Sequence, residues 1–446
     1  MTLPPCCATS YTTGEPARHE RPLLKSRRKS MSNVHVIGAG MTRLGKHLAR
    51  SVKDLSREAI DAALLDATLD KSAVQAAWFC NTRQGALEGQ HGVRGQASLR
   101  AYGFESIPIF NTDNACASSS SGLFQAFAAV EAGLFEVALV VGTEKMNFPE
   151  KRDAMFEAFK GSWDRELADE HLARLLALGD EIVPPESADG GAAERSVFMD
   201  IYSAQARFHM KLYGTTVEQI AHVAAKNHWH SQWNPFAQYR HPMTVEEVLA
   251  DKMIAWPITR SMCAPMTDGA CALVVASTRF VKKMNLGARA VKIRGIGVSS
   301  SSNRTGNEVS RHLTRVAATR AYEMAAAGPA DISVAELHDA SAIAEILHME
   351  NCGFCEYGAG GPMVASGATR LGGKLPINVS GGLHSKGHPI GATGAIQVHD
   401  LVRQLRGEAG EAQVSGARLG LAENGGGFHG LEEAACVVTI LESPGH

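Results

Sequence analysis

The sequence predicts an α/β protein made of two similar layered halves around parallel or mixed sheets. Three observations carry that prediction. Near-continuous apolar runs such as "VALVVGTEKM" (137–146) read as strands buried on both faces, as inside a parallel sheet. Segments with apolar residues at helical spacing alternate with them. The opening "VHVIGAGMTRLG" (34–45) returns as "VKIRGIGVSSSS" (291–302), and the order strand, helix, strand, strand, helix, strand repeats after it.

Taken in order, "VHVIGAGMT" from Val34 is a short buried strand and turn, and "VKDLSREAIDAALLDATL" (52–69) is an amphipathic helix. "VQAAWFCNT" and "IPIFNTDNA" are strands, the second running into Cys116. "SSGLFQAFAAVEAGL" (120–134) is apolar nearly all round, so its helix is expected to be buried. From about 147 to 257 Trp, His, Tyr, Met and charge become frequent and strand-like runs vanish. "SVFMDIYSAQARFHMKLYG" and "TVEQIAHVAAKNHWHSQ" predict helices there, a helical insert covering a pocket. "GACALVVAS" (269–277) returns to a buried strand. In the second half "VSRHLTRVAATRAYEMAAA" is a helix, "VAELHDA" and "KLPINVSGG" are strands, "GATGAIQVHDLVRQL" is a helix, and "RLGLAENGGG" and "ACVVTIL" are late strands. The expected organisation is a tail over 1–32, a first half over 33–287 and a second half over 288–446. The tail is polar, basic toward its end and proline-rich, without the apolar core of a secretory signal. It reads as disordered, or as translation begun too far upstream of Met31.

Bulk properties narrow the function. The 446 residues carry a formal net charge of -2, which argues against a general nucleic-acid binder. No apolar run approaches the roughly 20 residues of a membrane span. Nine cysteines without a secreted disulfide pattern point to a reduced, cytoplasmic protein. Cys352 and Cys355 form a single CxxC with no second pair, so no metal site is expected. "GAGMTRLG" misses the dinucleotide spacing and no GxxxxGK[ST] loop occurs, so no bound cofactor is expected.

The chemistry concentrates at two strand-to-helix turns. Cys116, in "NTDNACASSSSG", stands before a helix whose N-terminus would favour a thiolate. A buried small hydrophobe is the bland alternative. His388, in "KGHPIGATG", occupies the corresponding turn of the second half, and His338 follows a strand in "ELHDAS".

These segments resemble the thiolase superfamily, in its sterol-carrier-protein/acetyl-CoA acetyltransferase-like branch. "NTDNACASSSSG" resembles the nucleophile segment, "GGLHSKGHPIGATG" the histidine motif and "ELHDASAIAEI" the HDCF segment. "CAPMTDGACALVVAS" and "RFHMKLYGTTVEQIAHVAAKNH" also fit that branch, and the likeness covers about 34–441. It implies two fused βαβαβαββ halves in five layers (α-β-α-β-α) with a loop domain in the first half. It implies at least a homodimer, acyl-CoA as substrate and, in some relatives, a small zinc-ribbon/OB-fold partner. It implies that Cys116 accepts the acyl group, that His388 activates the thiol and that His338 helps form an oxyanion hole. Gly425, Gly426 and Gly427 are expected to present N–H groups to the acyl carbonyl, and Gly382 joins them as a substrate-binding candidate. Asp339 either fixes the His338 tautomer or caps a turn, and His384 has no matched role.

Two departures stand out. The C-x-G cysteine that exchanges the proton beside the thioester is replaced in "AENGGGFHG" by Glu423, and the HDCF cysteine by Ala340. Either Glu423 is the replacement acid/base, its pKa raised by a dry pocket, or the reaction does without one, or Glu423 only accepts backbone hydrogen bonds. The implied activity is thiolytic cleavage of a 3-ketoacyl-CoA, or the reverse Claisen condensation. Its rivals are a retro-aldol lyase acting on a CoA thioester and a weakly active acyl-CoA- or lipid-binding subunit.

Overall fold

A computed structural model describes residues 32–185 and 195–445. The expected tail falls almost wholly outside them. The strands are β1 (Val34–Met41), β2 (Ala76–Cys80), β3 (Ile109–Thr112), β4 (Val137–Glu144), β5 (Met253–Ala255), β6 (Ile258–Thr259), β7 (Gly269–Ser277), β8 (Val291–Ser300), β9 (Val334–Glu336), β10 (Leu419–Gly426) and β11 (Ala435–Glu442). The helices are α1 (Val52–Asp66), α2 (Gln84–Glu88), α3 (Arg94–Tyr102), α4 (Ser118–Glu131), α5 (Arg152–Glu157), α6 (Ala168–Leu178), α7 (Val197–Tyr213), α8 (Val217–Ser231), α9 (Val245–Ala250), α10 (Thr278–Lys283), α11 (Leu313–Ala325), α12 (Ala342–Asn351), α13 (Gly360–Ala365) and α14 (Thr393–Leu405). Among the described residues no helix is long and apolar enough to cross a membrane.

The repeat seen in the sequence is a repeat of topology. The large sheet runs β3-β2-β4-β7-β1-β8-β11-β10-β9. In the first half β2 is parallel to β3 and β4, whereas β4–β7 and β7–β1 are antiparallel. In the second half β9 is parallel to β10, whereas β10–β11 and β11–β8 are antiparallel. A parallel bridge from Ala335 to Ile377 stands where β3 stands in the first half. The two halves meet where β1 pairs with β8, at His35–Lys292 and Val36–Val291.

Helix α4 touches strands β2, β4 and β7 and also β8 and β11; α14 touches β9 and β10 and also β1, β4 and β7. The sheet therefore folds around these two helices, which pack on each other. Outside it, α1 covers β1 and β7, and α11 covers β8 and β11. This is the expected five-layer order. The repeated G-x-G explains the outer layers. A Cβ on Gly38 or Gly40 would lie 2.3 Å from the Ala63 carbonyl oxygen or 2.4 Å from the Ala63 nitrogen, and one on Gly297 would lie 2.1 Å from the Ala317 carbonyl oxygen. These glycines let an alanine-rich helix rest directly on strand backbone.

Two expectations need correction. "KLPINVSGG" contributes one bridge rather than a strand, because Asn378 takes a left-handed φ of 54° that ends the extended run. Its side-chain oxygen instead accepts the Leu337 N–H at 2.8 Å. The segment between β4 and β7 is not wholly helical: beside α5 to α9 it holds the β5–β6 hairpin.

Candidate active site

Cys116 hangs from a tight turn between β3 and α4. The residue before it, Ala115, has φ 49°, which a non-glycine residue rarely adopts. The four serines that open α4 hold this turn in place. Ser118 Oγ accepts the Asn114 N–H (2.9 Å) and donates to the Ala115 carbonyl (2.6 Å). Ser119 Oγ accepts the Ala395 N–H of α14 at 2.9 Å. Ser120 Oγ donates to Asn424 Oδ1 at 2.7 Å, and Ser121 Oγ accepts Asn114 Nδ2 at 2.9 Å.

Across from this turn, Cys116 Sγ and one ring nitrogen each of His338 and His388 all lie within 4.8 Å of one another. The two imidazoles meet edge to face, with centroids 5.1 Å apart. The hydrogen-bond network gives them opposite tautomers. Asn424 Nδ2 donates to His338 Nδ1 at 3.0 Å, so the His338 proton sits on Nε2. Thr393 Oγ1 donates to the Pro389 carbonyl (3.2 Å) and therefore accepts the His388 Nδ1–H (2.7 Å), which leaves a lone pair on His388 Nε2. One ring is a donor and the other a base. Burial keeps both uncharged: it pushes His338 down to about 3 and His388 well below the usual imidazole range.

Burial also decides the state of the thiol. It pushes Cys116 up to about 12, against the opposing pull of the Arg83 charge and of N–H groups from Gly427 and Cys116 itself. The thiolate expected from the helix N-terminus is therefore not the resting form. Desolvation outweighs the helix.

The glycine whose N–H reaches the sulfur is Gly427. Gly426 and Gly427 line the cavity around Cys116; Gly425 and Gly382 do not. Gly382, at φ 61°, belongs to a turn where a Cβ would lie 2.1 Å from Asp339 Oδ2. Glu423 is not in the cavity either. It is fully buried on the opposite face of β10 from Asn424, with Oε2 accepting the His338 backbone N–H at 3.1 Å and Oε1 3.5 Å from His348 Nδ1. Burial raises its pKa, as expected, but away from the site. A Cβ on Gly425 would lie 2.8 Å from Glu433 Cγ, and Glu433, unlike Glu423, lines the cavity. His348 stands 3.5 Å behind it, its pKa raised to about 9 by Glu423 and Glu433, while Glu433 is held down at about 2.

Asp339 does not touch His338. It holds His384 Nδ1 at 2.9 Å and accepts the Leu383 N–H at 2.7 Å. His384 Nε2 is buried without a protein partner in the cavity wall. Cys436 and Cys352 lie in the apolar core. Asn424, Glu433 and Ser120 went unnoticed in the sequence. Asn424 lay inside the quoted glycine stretch, whereas nothing local marks Glu433.

The cavity measures about 820 Å³ and is walled by Phe156, Phe159, Phe198 and Met243 from the segment between β4 and β7. A cavity of this size and lining suits a small organic ligand.

Known proteins resemble the chain along most of its length. The profile of the thiolase N-terminal domain matches residues 34–279, and that of the thiolase C-terminal domain-like family matches 295–441. Rabbit (Oryctolagus cuniculus) sterol carrier protein 2 is 35% identical over 92% of this chain and 72% of its own length. An acetyl-CoA acetyltransferase of Methanothermobacter thermautotrophicus is 33% identical over 90% of this chain and 98% of its own. The benzoylsuccinyl-CoA thiolase subunit BbsB of Thauera aromatica is 31% identical over 85% and 91%. Among solved structures, the Ltp2-ChsH2(DUF35) aldolase superposes with a TM-score of 0.72 at 23% identity, covering 93% of this chain and 99% of that one. Human mitochondrial 3-ketoacyl-CoA thiolase in complex with CoA superposes with 0.63 at 17%, covering 92% and 98%. With both profiles matched in order, and a cysteine and two histidines drawn together from the two halves, the chain belongs to the thiolase family.

Proposed function

We propose that the chain is a CoA-dependent acyltransferase that cleaves a 3-ketoacyl-CoA, or runs the reverse Claisen condensation, through an acyl group on Cys116. The observation that supports this most is the pairing of opposite imidazole tautomers around one thiol. In cleavage, His388 Nε2 takes the thiol proton as the sulfur attacks the 3-keto carbonyl. The N–H groups of Cys116 and Gly427 receive the resulting oxyanion. The C2–C3 bond breaks, and the electron pair passes to the departing thioester, whose oxygen accepts the His338 Nε2–H. The proton that C2 then needs comes from the Glu433–His348 pair. A CoA thiol, giving its proton to that pair, attacks the carbonyl carbon of the acyl-cysteine; the C–S bond to Cys116 breaks, and the departing sulfur takes back the proton held on His388. CoA is a substrate here, and no bound cofactor enters.

The assembly is read as a dimer through the outer edge of β3, a four-residue strand with Phe110 exposed on it. An accessory subunit of the DUF35 kind is part of the same reading.

Intact-protein mass spectrometry after mixing with acetoacetyl-CoA and longer 3-ketoacyl-CoA thioesters tests the proposal. An acyl mass on the Cys116 peptide, discharged by CoA and absent in Cys116→Ala, is expected. Turnover without an acyl-cysteine would point to a retro-aldol lyase. Binding without turnover across the panel would point to a scaffold subunit.

A further inference from the structure

Arg83 occupies the loop after β2 and is only 5% exposed. The loop is tied down by Glu144, whose oxygens accept Asn81 Nδ2 (3.0 Å), Thr82 N–H (3.1 Å), Arg83 N–H (2.9 Å) and Gly391 N–H (3.0 Å). Those four donors occupy the carboxylate, and no ion pair joins it to the Arg83 guanidinium. One terminal nitrogen of the guanidinium donates to Ser162 Oγ. Its carbon lies 5.7 Å from the centre of the Phe159 ring, and Nε is buried with no partner. A guanidinium offers five N–H donors, so most of this one is free.

Two other arginines line the cavity, and each has a carboxylate: Arg195 is 2.7 Å from Asp200, and Arg260 is 2.7 Å from Asp251. Arg83 has none within ion-pair distance among the described residues: Glu144 feels its charge but spends its oxygens on four other donors, and Arg83 lines the same cavity as Cys116 and His388. A buried charge without a directly bonded counter-ion is costly. An anion arriving with the ligand would remove that cost. Because Arg83 and Cys116 line the same cavity, and the charge acts on that thiol, the part of a ligand best placed to bring the anion is the acyl group delivered to the sulfur.

We infer that Arg83 is a carboxylate-binding subsite, and that the acyl group carried by Cys116 has a free carboxylate of its own, as in the CoA thioester of a short dicarboxylic acid. This rests on the reading of Cys116 as acyl acceptor and names the substrate class of that site.

The probes are succinyl-CoA and butyryl-CoA, of equal chain length, followed by single-turnover labelling of the Cys116 peptide. Wild type is expected to label about a hundredfold faster with succinyl-CoA, the scale of a charge-assisted bidentate contact in a dry site. Arg83→Gln should abolish that preference; because its charge also favours the Cys116 thiolate it should slow butyryl labelling too, but by much less than succinyl labelling, and Arg83→Lys should keep part of the preference. Equal labelling in wild type, or an equal loss for both probes in Arg83→Gln, overturns the inference and leaves Arg83 as an electrostatic aid to the thiol. Calorimetry on Cys116→Ala separates the two readings. Tighter binding of succinyl-CoA that depends on Arg83 supports the subsite even if no acyl-cysteine forms, and equal binding of the two thioesters refutes it.

Discussion

A thiol held at about 12 has a measurable signature. At pH 8 it is ionised to about one part in 10⁴, whereas an ordinary cysteine with a pKa of about 8.5 is about a quarter ionised. Iodoacetamide reacts only with the thiolate, so Cys116 in the free protein should alkylate roughly three orders of magnitude more slowly than a free thiol. Its rate should climb about tenfold per pH unit from 7 to 10.5 without a plateau. Acylation by a thioester should nevertheless proceed at pH 7 to 8, because His388 Nε2 receives the proton during attack. His388→Asn should therefore slow acylation by about 10²- to 10⁴-fold and leave the alkylation profile almost unchanged. Peptide-resolved mass spectrometry follows both reactions and separates Cys116 from Cys263 and Cys355, which are partly exposed as it is. A plateau with an apparent pKa below about 8, lost in His388→Asn, would refute the reasoning, because it would reveal a preformed thiolate–imidazolium pair.

Four further outcomes are expected. Asn424→Leu frees the His338 tautomer and should lower kcat by about 10²- to 10³-fold with little change in KM, the cost of one oxyanion donor. Gly426→Ala would place a Cβ 2.3 Å from the Asn114 carbonyl oxygen and 2.4 Å from the Ala117 nitrogen, both in the Cys116 turn. It should cost about 1–3 kcal/mol in a thermal melt and suppress acyl-cysteine formation. Glu433→Gln should still acylate Cys116 from acetyl-CoA but lose deuterium exchange at the acetyl methyl in D₂O by about 10²-fold or more; His384→Gln should keep that exchange. His348 has a pKa raised from 6.5 to about 9, so the stability that it confers is complete below 6.5 and is lost as pH rises through 9. Wild-type Tm should fall over that window, and His348→Gln should flatten the fall and start from a lower Tm, since Glu423 and Glu433 then lack their cation.

Much of this was legible in the chain because it is written in local patterns. The doubled G-x-G announced two halves, and the two strand-to-helix turns brought forward Cys116 and His388, which the fold does set beside each other. What was not legible depends on direction. Glu423 and Asn424 are neighbours in sequence, yet strand alternation sends Asn424 to His338 and Glu423 to the back of the same strand. Glu433 becomes a cavity residue only because β10 and β11 bring it over Gly425. The ionisation of Cys116 was misjudged for a similar reason: a helix N-terminus is visible in sequence, but the desolvation that folding imposes on the thiol is not.

The sulfur and its base are mounted on separate supports. One stands at the head of α4, the other just before α14, and the two helices touch through the Ser119–Ala395 hydrogen bond. The gap that the proton crosses in the proposed reaction is thus a calliper setting, with one jaw in each half. Mild heat or denaturant that lets the jaws slide should extinguish acylation before circular dichroism registers any melting, so activity becomes the earliest gauge of this enzyme's integrity.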